Sequence, residues 1–223
     1  MMSHGQRIAA FLGHAPADLA AFYDGDALPD YPDSRIHCLP FDQALAYTRD
    51  MHGIPVVQRL GLWVLDDAED SNPHAYVTQG PCTGAVVHFS HDGEPRVAFG
   101  SLAAFVAALH EAGGRGGDID DLPPQAPAYA LDAEITVLLG EDSEDAHFLV
   151  NLYLGICAPL QMQTQEALLR EDDFLVREAL AARLAQTARP QDLDTAQRLA
   201  ADPHPQVARA GALALAAVRR AGR

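Results

Sequence analysis

Residues 61–109 read GLWVLDDAEDSNPHAYVTQGPCTGAVVHFSHDGEPRVAFGSLAAFVAAL, and this stretch decides the fold. Leu60 to Leu65, LGLWVL, is a compact apolar run, short and rich in strand formers, and reads as a buried strand. Residues 66–73 follow as an acidic turn, Ala75 to Thr78 as a second strand and Ala85 to Ser90 as a third. His91-Asp92-Gly93 supplies a hairpin turn into a fourth strand, Arg96 to Phe99, because an Asp-Gly step tolerates the backbone that tight hairpins need. Gly100 and Ser101 then start a helix, LAAFVAALHEA, with Ser101 as N-cap and Leu102, Phe105, Val106 and Leu109 on one face.

Upstream, Pro16 to Tyr23 reads as a short helix with Pro and Asp in its first turn, ended by the loop DGDALPDYPDS. Arg35 to Leu39 suits a short strand, and Pro40 to Met51 returns to helical spacing with Phe41, Leu45 and Thr48 on a common face. Helices, a strand meander and a packing helix make an α+β domain, with helices around a mainly antiparallel sheet of four or more strands.

Downstream, Gly113-Gly114-Arg115-Gly116-Gly117 cannot hold a helix, and DIDDLPPQAP extends the break with acid and proline. The expected division is therefore 1–116 as the α+β domain, 117–126 as a linker and 127–223 as a second region. That second region repeats. Leu139, Leu169 and Leu199 recur every 30 residues, as do Asp142, Asp172 and Asp202, and Pro127, Pro159 and Pro190 open the units. Each unit reads as an amphipathic helix, an acidic turn and a second apolar helix, with LLGED, LLRED and LAADP at the turns. The first unit is degenerate: it is either a capping helix pair or a segment that keeps a strand at Ile135 to Leu139. The pattern resembles the short HEAT-like repeats of phycobilisome lyases, in which an Asp-containing turn precedes Val-x-x-x-Ala. Arg177 and Arg209 fall near the Arg position of that motif, though not in identical register. An all-α, HEAT-like C-terminal region is expected, and stacks of this kind present surfaces to proteins. A plain Ala/Leu-rich bundle packing on the first domain is the alternative.

At 223 residues and 48% hydrophobic, the chain holds enough apolar residues for one good core or two modest ones. It has 15 arginines, no lysine and 31 acidic residues, a net charge of −16. Such a field repels nucleic-acid phosphates and anionic membranes and favours basic protein surfaces; it also simply keeps a protein soluble. Cys38, Cys82 and Cys157 are far apart and form no CxxC, which suits a reducing compartment. The first residues lack a signal-like apolar core, and no apolar run approaches the roughly 18 residues of a membrane span, so a cytoplasmic location is expected.

Few residues invite chemistry. His88-x-x-His91-Asp92, with His74 nearby in sequence, is the best metal-like cluster, but zinc needs three or four converging ligands, and turn histidines are more often solvated. Cys82, between Gly80-Pro81 and Gly84, has no base that the sequence places against it. Phosphate-loop chemistry is excluded by the absence of lysine. Asp66, Asp67, Glu69 and Asp70 form an acidic run without the spacing or glycine of a calcium loop; they read as a solvated turn or as an exposed contact for a basic partner. No catalytic residue, cofactor or metal is expected.

Residues 16–109 resemble a SUKH-superfamily domain, the family of a fungal cell-wall assembly regulator and many bacterial immunity proteins. The matching features run in order: Pro16-Ala17-Asp18-Leu19 leading to Phe22-Tyr23 and Asp24-Gly25, Leu62-Trp63-Val64-Leu65-Asp66, and Ser71-Asn72-Pro73. Gly84 with Val86, Val87 and His88 follows, and Ser101-Leu102 with Phe105 and Leu109 closes the series. The resemblance implies structural roles for these residues, with the Trp between sheet and helix and Asn-Pro shaping a turn. It implies a non-enzymatic protein that neutralises a toxin by binding it, a basic toxin domain being the partner that the charge favours. The short first helix and the attached repeat region depart from the commonest pattern and leave a second expectation open, a general interaction scaffold that works through the repeats. Oligomeric state is not legible.

Overall fold

The computed structural model describes all residues except 1, 26, 27, 30, 32–36, 68–71, 90–95, 118, 120, 121, 123–125 and 142, and the side chain of Asp67 also lies outside the description. The chain divides into two compact units, Met1–Pro127 and Ala128–Arg223. N-terminal helices with a four-stranded antiparallel sheet form the first; the second is all helical.

The first unit starts with α1, His4–Leu12, a helix the strand-centred reading passes over. Its local signals are complete. Ser3 Oγ accepts from the Gln6 amide while the Gln6 side chain reaches back to Ser3, and Gly13 closes the helix in the left-handed region at φ 83°. Next come α2, Ala17–Asp24; β1, His37–Cys38; α3, Phe41–Met51; and α4, Pro55–Leu60. Helix α4 ends on Gly61 at φ 57°, where an added Cβ would lie 2.2 Å from Thr78 Oγ1. Glycine is required there twice over, by backbone and by space.

The strands are β2, Leu62–Val64; β3, Asp66–Asp67; β4, His74–Val77; β5, Val86–His88; and β6, Arg96–Phe99. The main sheet has the order β2-β4-β5-β6, with Trp63 opposite Tyr76 and Tyr76 opposite Val86, while β1 pairs with β3 beside it. Every residue of β2 and β4 is buried, so these strands read as continuous apolar runs instead of alternating ones. At the sheet edge, the Val64 amide donates to Thr48 Oγ1 of α3 at 2.9 Å, which occupies a donor that an open edge leaves free. Trp63 sits fully buried against Tyr23 and Phe41, and its indole N–H donates to the Tyr23 hydroxyl at 3.1 Å. Burial pushes the Tyr23 hydroxyl far above the ordinary tyrosine pKa, so it remains a protonated phenol.

Helix α5 runs Leu102–Gly114, capped by Ser101 Oγ, which accepts from the Ala104 amide at 3.1 Å. Two corrections follow. The glycines at 113 and 114 do not stop the helix, which runs through both: Gly113 lies close against the Tyr31 ring, whose atoms would be 2.3–2.5 Å from an added Cβ, a packing contact set against the ~1 kcal/mol propensity cost of a glycine. Nor is 117–126 a free linker, because Ile119 is buried in the first unit's core and Leu122 packs against it.

The second unit comprises α6, Asp132–Leu138; α7, Glu144–Leu154; α8, Met162–Leu168; α9, Phe174–Thr187; α10, Leu193–Ala200, entered through a single 3-10 turn at Pro190–Asp192; and α11, Pro205–Ala221. These are three successive helix pairs. Helix α7 packs on α9 and α9 on α11, while α6 packs on α8. Helix α6 takes in Ile135 to Leu138, so the strand alternative for the first unit of the repeat is overturned. Helix α11 closes onto α10 at Gly211, where an added Cβ would meet the Leu199 carbonyl carbon at 2.3 Å. Among the described residues no helix is long and apolar enough to cross a membrane.

Candidate functional site

The first residue of the acidic run is not the exposed side chain that its composition suggests. Asp66 is completely buried. Its Oδ1 accepts the His74 amide at 2.7 Å, and its Oδ2 lies 2.8 Å from His74 Nδ1, so one carboxyl clamps both sides of the segment that begins β4. The expectation of Asp66 as an exposed contact is therefore corrected: an internal hydrogen-bond partner eight residues on draws it into the core. Asp67 pairs in register with His37. The Asp67 side chain, Glu69 and Asp70 lie outside the described residues.

His88 stands opposite His74 in the β4–β5 register, with ring centroids 4.9 Å apart. The rings of Phe99 and Phe105 also lie near His74, at 6.1 and 5.4 Å. Both members of the Asp66–His74 pair are buried. His91 and Asp92 lie outside the described residues. Among the described residues, no group of three or more His, Cys, Asp or Glu side chains gathers as a metal site. Cys82 is buried in the turn between β4 and β5, and burial pushes the Cys157 thiol up to about 11, against the pull of Arg183.

The surface feature that sequence reading missed is a groove between α2 and α5, with a volume of about 510 Å³. Helix α2 contributes Asp18, Ala21 and Phe22, spaced i, i+3 and i+4; helix α5 contributes Ala103, Val106, Ala107 and His110 at the same spacing. The inner face of α5 (Leu102, Phe105, Leu109) is already committed to the core, so this helix is apolar on both sides. Alanines keep the floor low, and Phe22 and Val106 raise the walls.

Asp18 is the one carboxyl lining the groove among the described residues, and it is held. Its Oδ1 accepts from the Tyr76 hydroxyl at 2.7 Å and from the Leu19 amide at 3.0 Å. Tyr76 belongs to the sheet and is buried; burial, then its bond to Asp18, hold its hydroxyl well above the ordinary tyrosine value, so it stays a donor. At the other end, His110 Nδ1 lies 2.5 Å from the Tyr31 hydroxyl. Both partnerships join residues more than fifty positions apart, which is why periodicity alone does not find them.

The second unit carries a polar ladder at near-repeat spacing. Asp132 Oδ1 accepts from the Gln161 amide at 2.8 Å and from Thr164 Oγ1 at 2.7 Å. One repeat on, Gln165 donates to Asp192 at 2.9 Å and accepts from Thr195 at 2.7 Å. Arg177, flagged by the repeat motif, spans to the next turn and binds Asp202 through Nε at 2.8 Å and Nη2 at 3.3 Å. Burial works against the Asp202 carboxylate, but the Arg177 bonds and the His204 amide outweigh it and hold its pKa below the usual aspartate range. These groups are engaged with one another and act as joints of the stack. Compared with protein-family models, curated proteins and solved structures, the chain matches none.

Proposed function

We propose that this chain is a non-enzymatic protein-binding protein of the immunity type, which neutralises a toxin by covering it. The observation that supports this reading is the coming together of the residues that resemble the SUKH pattern. Trp63, Val86 and Phe105, from three separate parts of that pattern, share one buried core with Leu19 and Tyr23 of α2. The charge agrees with a basic partner: residues 1–127 hold 17 acids against 6 arginines. Several of those arginines are engaged internally, Arg7 with Asp42 at 2.6 Å, Arg115 with Glu111 at 2.7 Å and Arg49 over Phe11. Co-expression with a toxin encoded beside it should give a retained complex and protect growth. Failure of both retention and protection sinks the reading.

The second reading, a general scaffold working through the helix pairs, is favoured by exposed apolar side chains there, notably Leu213 at 65% and Val137 at 64% exposure. Leu213→Glu and Val137→Glu discriminate the two. Loss of partner binding in a folded double variant assigns the working face to the second unit; unchanged binding removes it.

A further inference from the structure

We infer that the α2–α5 groove is a docking site for a basic protein segment, taking an apolar side chain between Phe22 and Val106 and an arginine or lysine on Asp18. The inference rests on the protein-binding part of the proposed function and adds the surface and the chemistry of what it holds.

Three observations carry it. First, Leu102 to His110 contains no Asp, Glu or Arg, although Ala103 and Ala107 face outward. A surface helix normally sets charge opposite its core face, and one apolar all round is normally covered. Second, the cleft is open and of a size that takes a large aliphatic or aromatic side chain with its flanks, the kind of anchor on which interfaces depend. Third, the charge is placed for a cation. Asp18 is exposed, yet its Oδ1 is fixed by Tyr76 and the Leu19 amide, so a partner's guanidinium or ammonium meets an acceptor that loses little freedom on binding. Among the described residues no arginine lines the groove, and the surrounding unit is acidic. An acidic segment is repelled, and an uncharged apolar one leaves the Asp18 charge with no opposite charge beside a newly covered surface.

The test uses the full chain and a random linear peptide library displayed on phage. Selected peptides are expected to pair a Leu, Phe, Tyr or Trp with a neighbouring Arg or Lys. A synthetic peptide of the selected sequence should bind the wild type and lose about tenfold in affinity with Asp18→Asn, and more with Ala107→Trp, which fills the cleft. Binding should also weaken with salt. Ala107→Trp changes an exposed position and its unfolding temperature should match the wild type; Asp18→Asn keeps an oxygen that accepts from Tyr76, and its unfolding temperature should fall only slightly, which separates lost docking from lost folding. The inference is overturned if selected peptides lack basic residues, or if folded Ala107→Trp binds the selected peptide as tightly as the wild type does. Toxin retention separates this from the parent reading. A toxin held equally by wild type and Ala107→Trp removes the groove but leaves the immunity role standing. Peptides that need the groove, with no toxin retained by the wild type, do the reverse.

Discussion

The two units solve the problem of buried polar groups differently. In Met1–Pro127 the partners are distant in sequence: Trp63 with Tyr23, Tyr76 with Asp18 and Val64 with Thr48 are 40, 58 and 16 residues apart. In Ala128–Arg223 they recur near the repeat length: Asp132 with Thr164, Gln165 with Thr195 and Arg177 with Asp202 are 32, 30 and 25 apart. The first unit is tied through one centre, and damage there spreads. The second is joined link by link between successive helix pairs, so damage is expected to stay near the broken link.

The largest expected effect is at that centre. Trp63→Ala should destabilise the first unit by about 4 kcal/mol, through the cavity left beside Tyr23 and Phe41. Hydrogen exchange by mass spectrometry should show protection lost across 1–127 and retained across 128–223; uniform loss would break the comparison. Asp66→Ala should cost about 3 kcal/mol, because it removes the acceptor of the buried His74 amide and the carboxylate partner of its ring. Denaturant unfolding followed by Trp63 fluorescence measures it, and a wild-type midpoint would show that the clamp contributes nothing.

Arg177→Ala should cost about 2 kcal/mol, from the loss of a two-bond charge-assisted pair. Its increased exchange should centre on α9, α10 and α11. The smallest effect is in pH. Because the folded pKa of Asp202 lies below its unfolded value, its contribution is fully present above the ordinary aspartate pKa of about 3.9 and is lost as pH falls through the lower folded value. Wild type should therefore lose more stability below about pH 4 than Asp202→Asn does. Parallel acid titrations of the two would refute the pairing.

What was legible in the sequence was local. The Ser101 cap and the helix pairs at 30-residue spacing depend on neighbours within one turn or one repeat, and the structure forms both; of the LGLWVL run only Leu62–Val64 is strand, because Leu60 ends α4 and Gly61 caps it. Asp66 was misread because its neighbours Asp67, Glu69 and Asp70 announce a solvated turn, while the residue that internalises it arrives with the start of β4. The glycines at 113–114 misled for a related reason: their intrinsic cost is local, and the Tyr31 ring that lies against Gly113 comes from more than eighty residues earlier. Helix α1 was legible in its Ser3–Gln6 cap and went unread.

By itself the sequence determined the α+β class, the helical second region and the acidic character, since patterning, capping and charge are properties of adjacent residues. Tertiary structure alone decided which carboxyl is buried and which is offered. Asp66 turns inward to His74, and Asp18 stays outside, steadied by Tyr76 from within the sheet. A carboxyl's fate depends on the donors that the fold brings to it, and no local pattern specifies those.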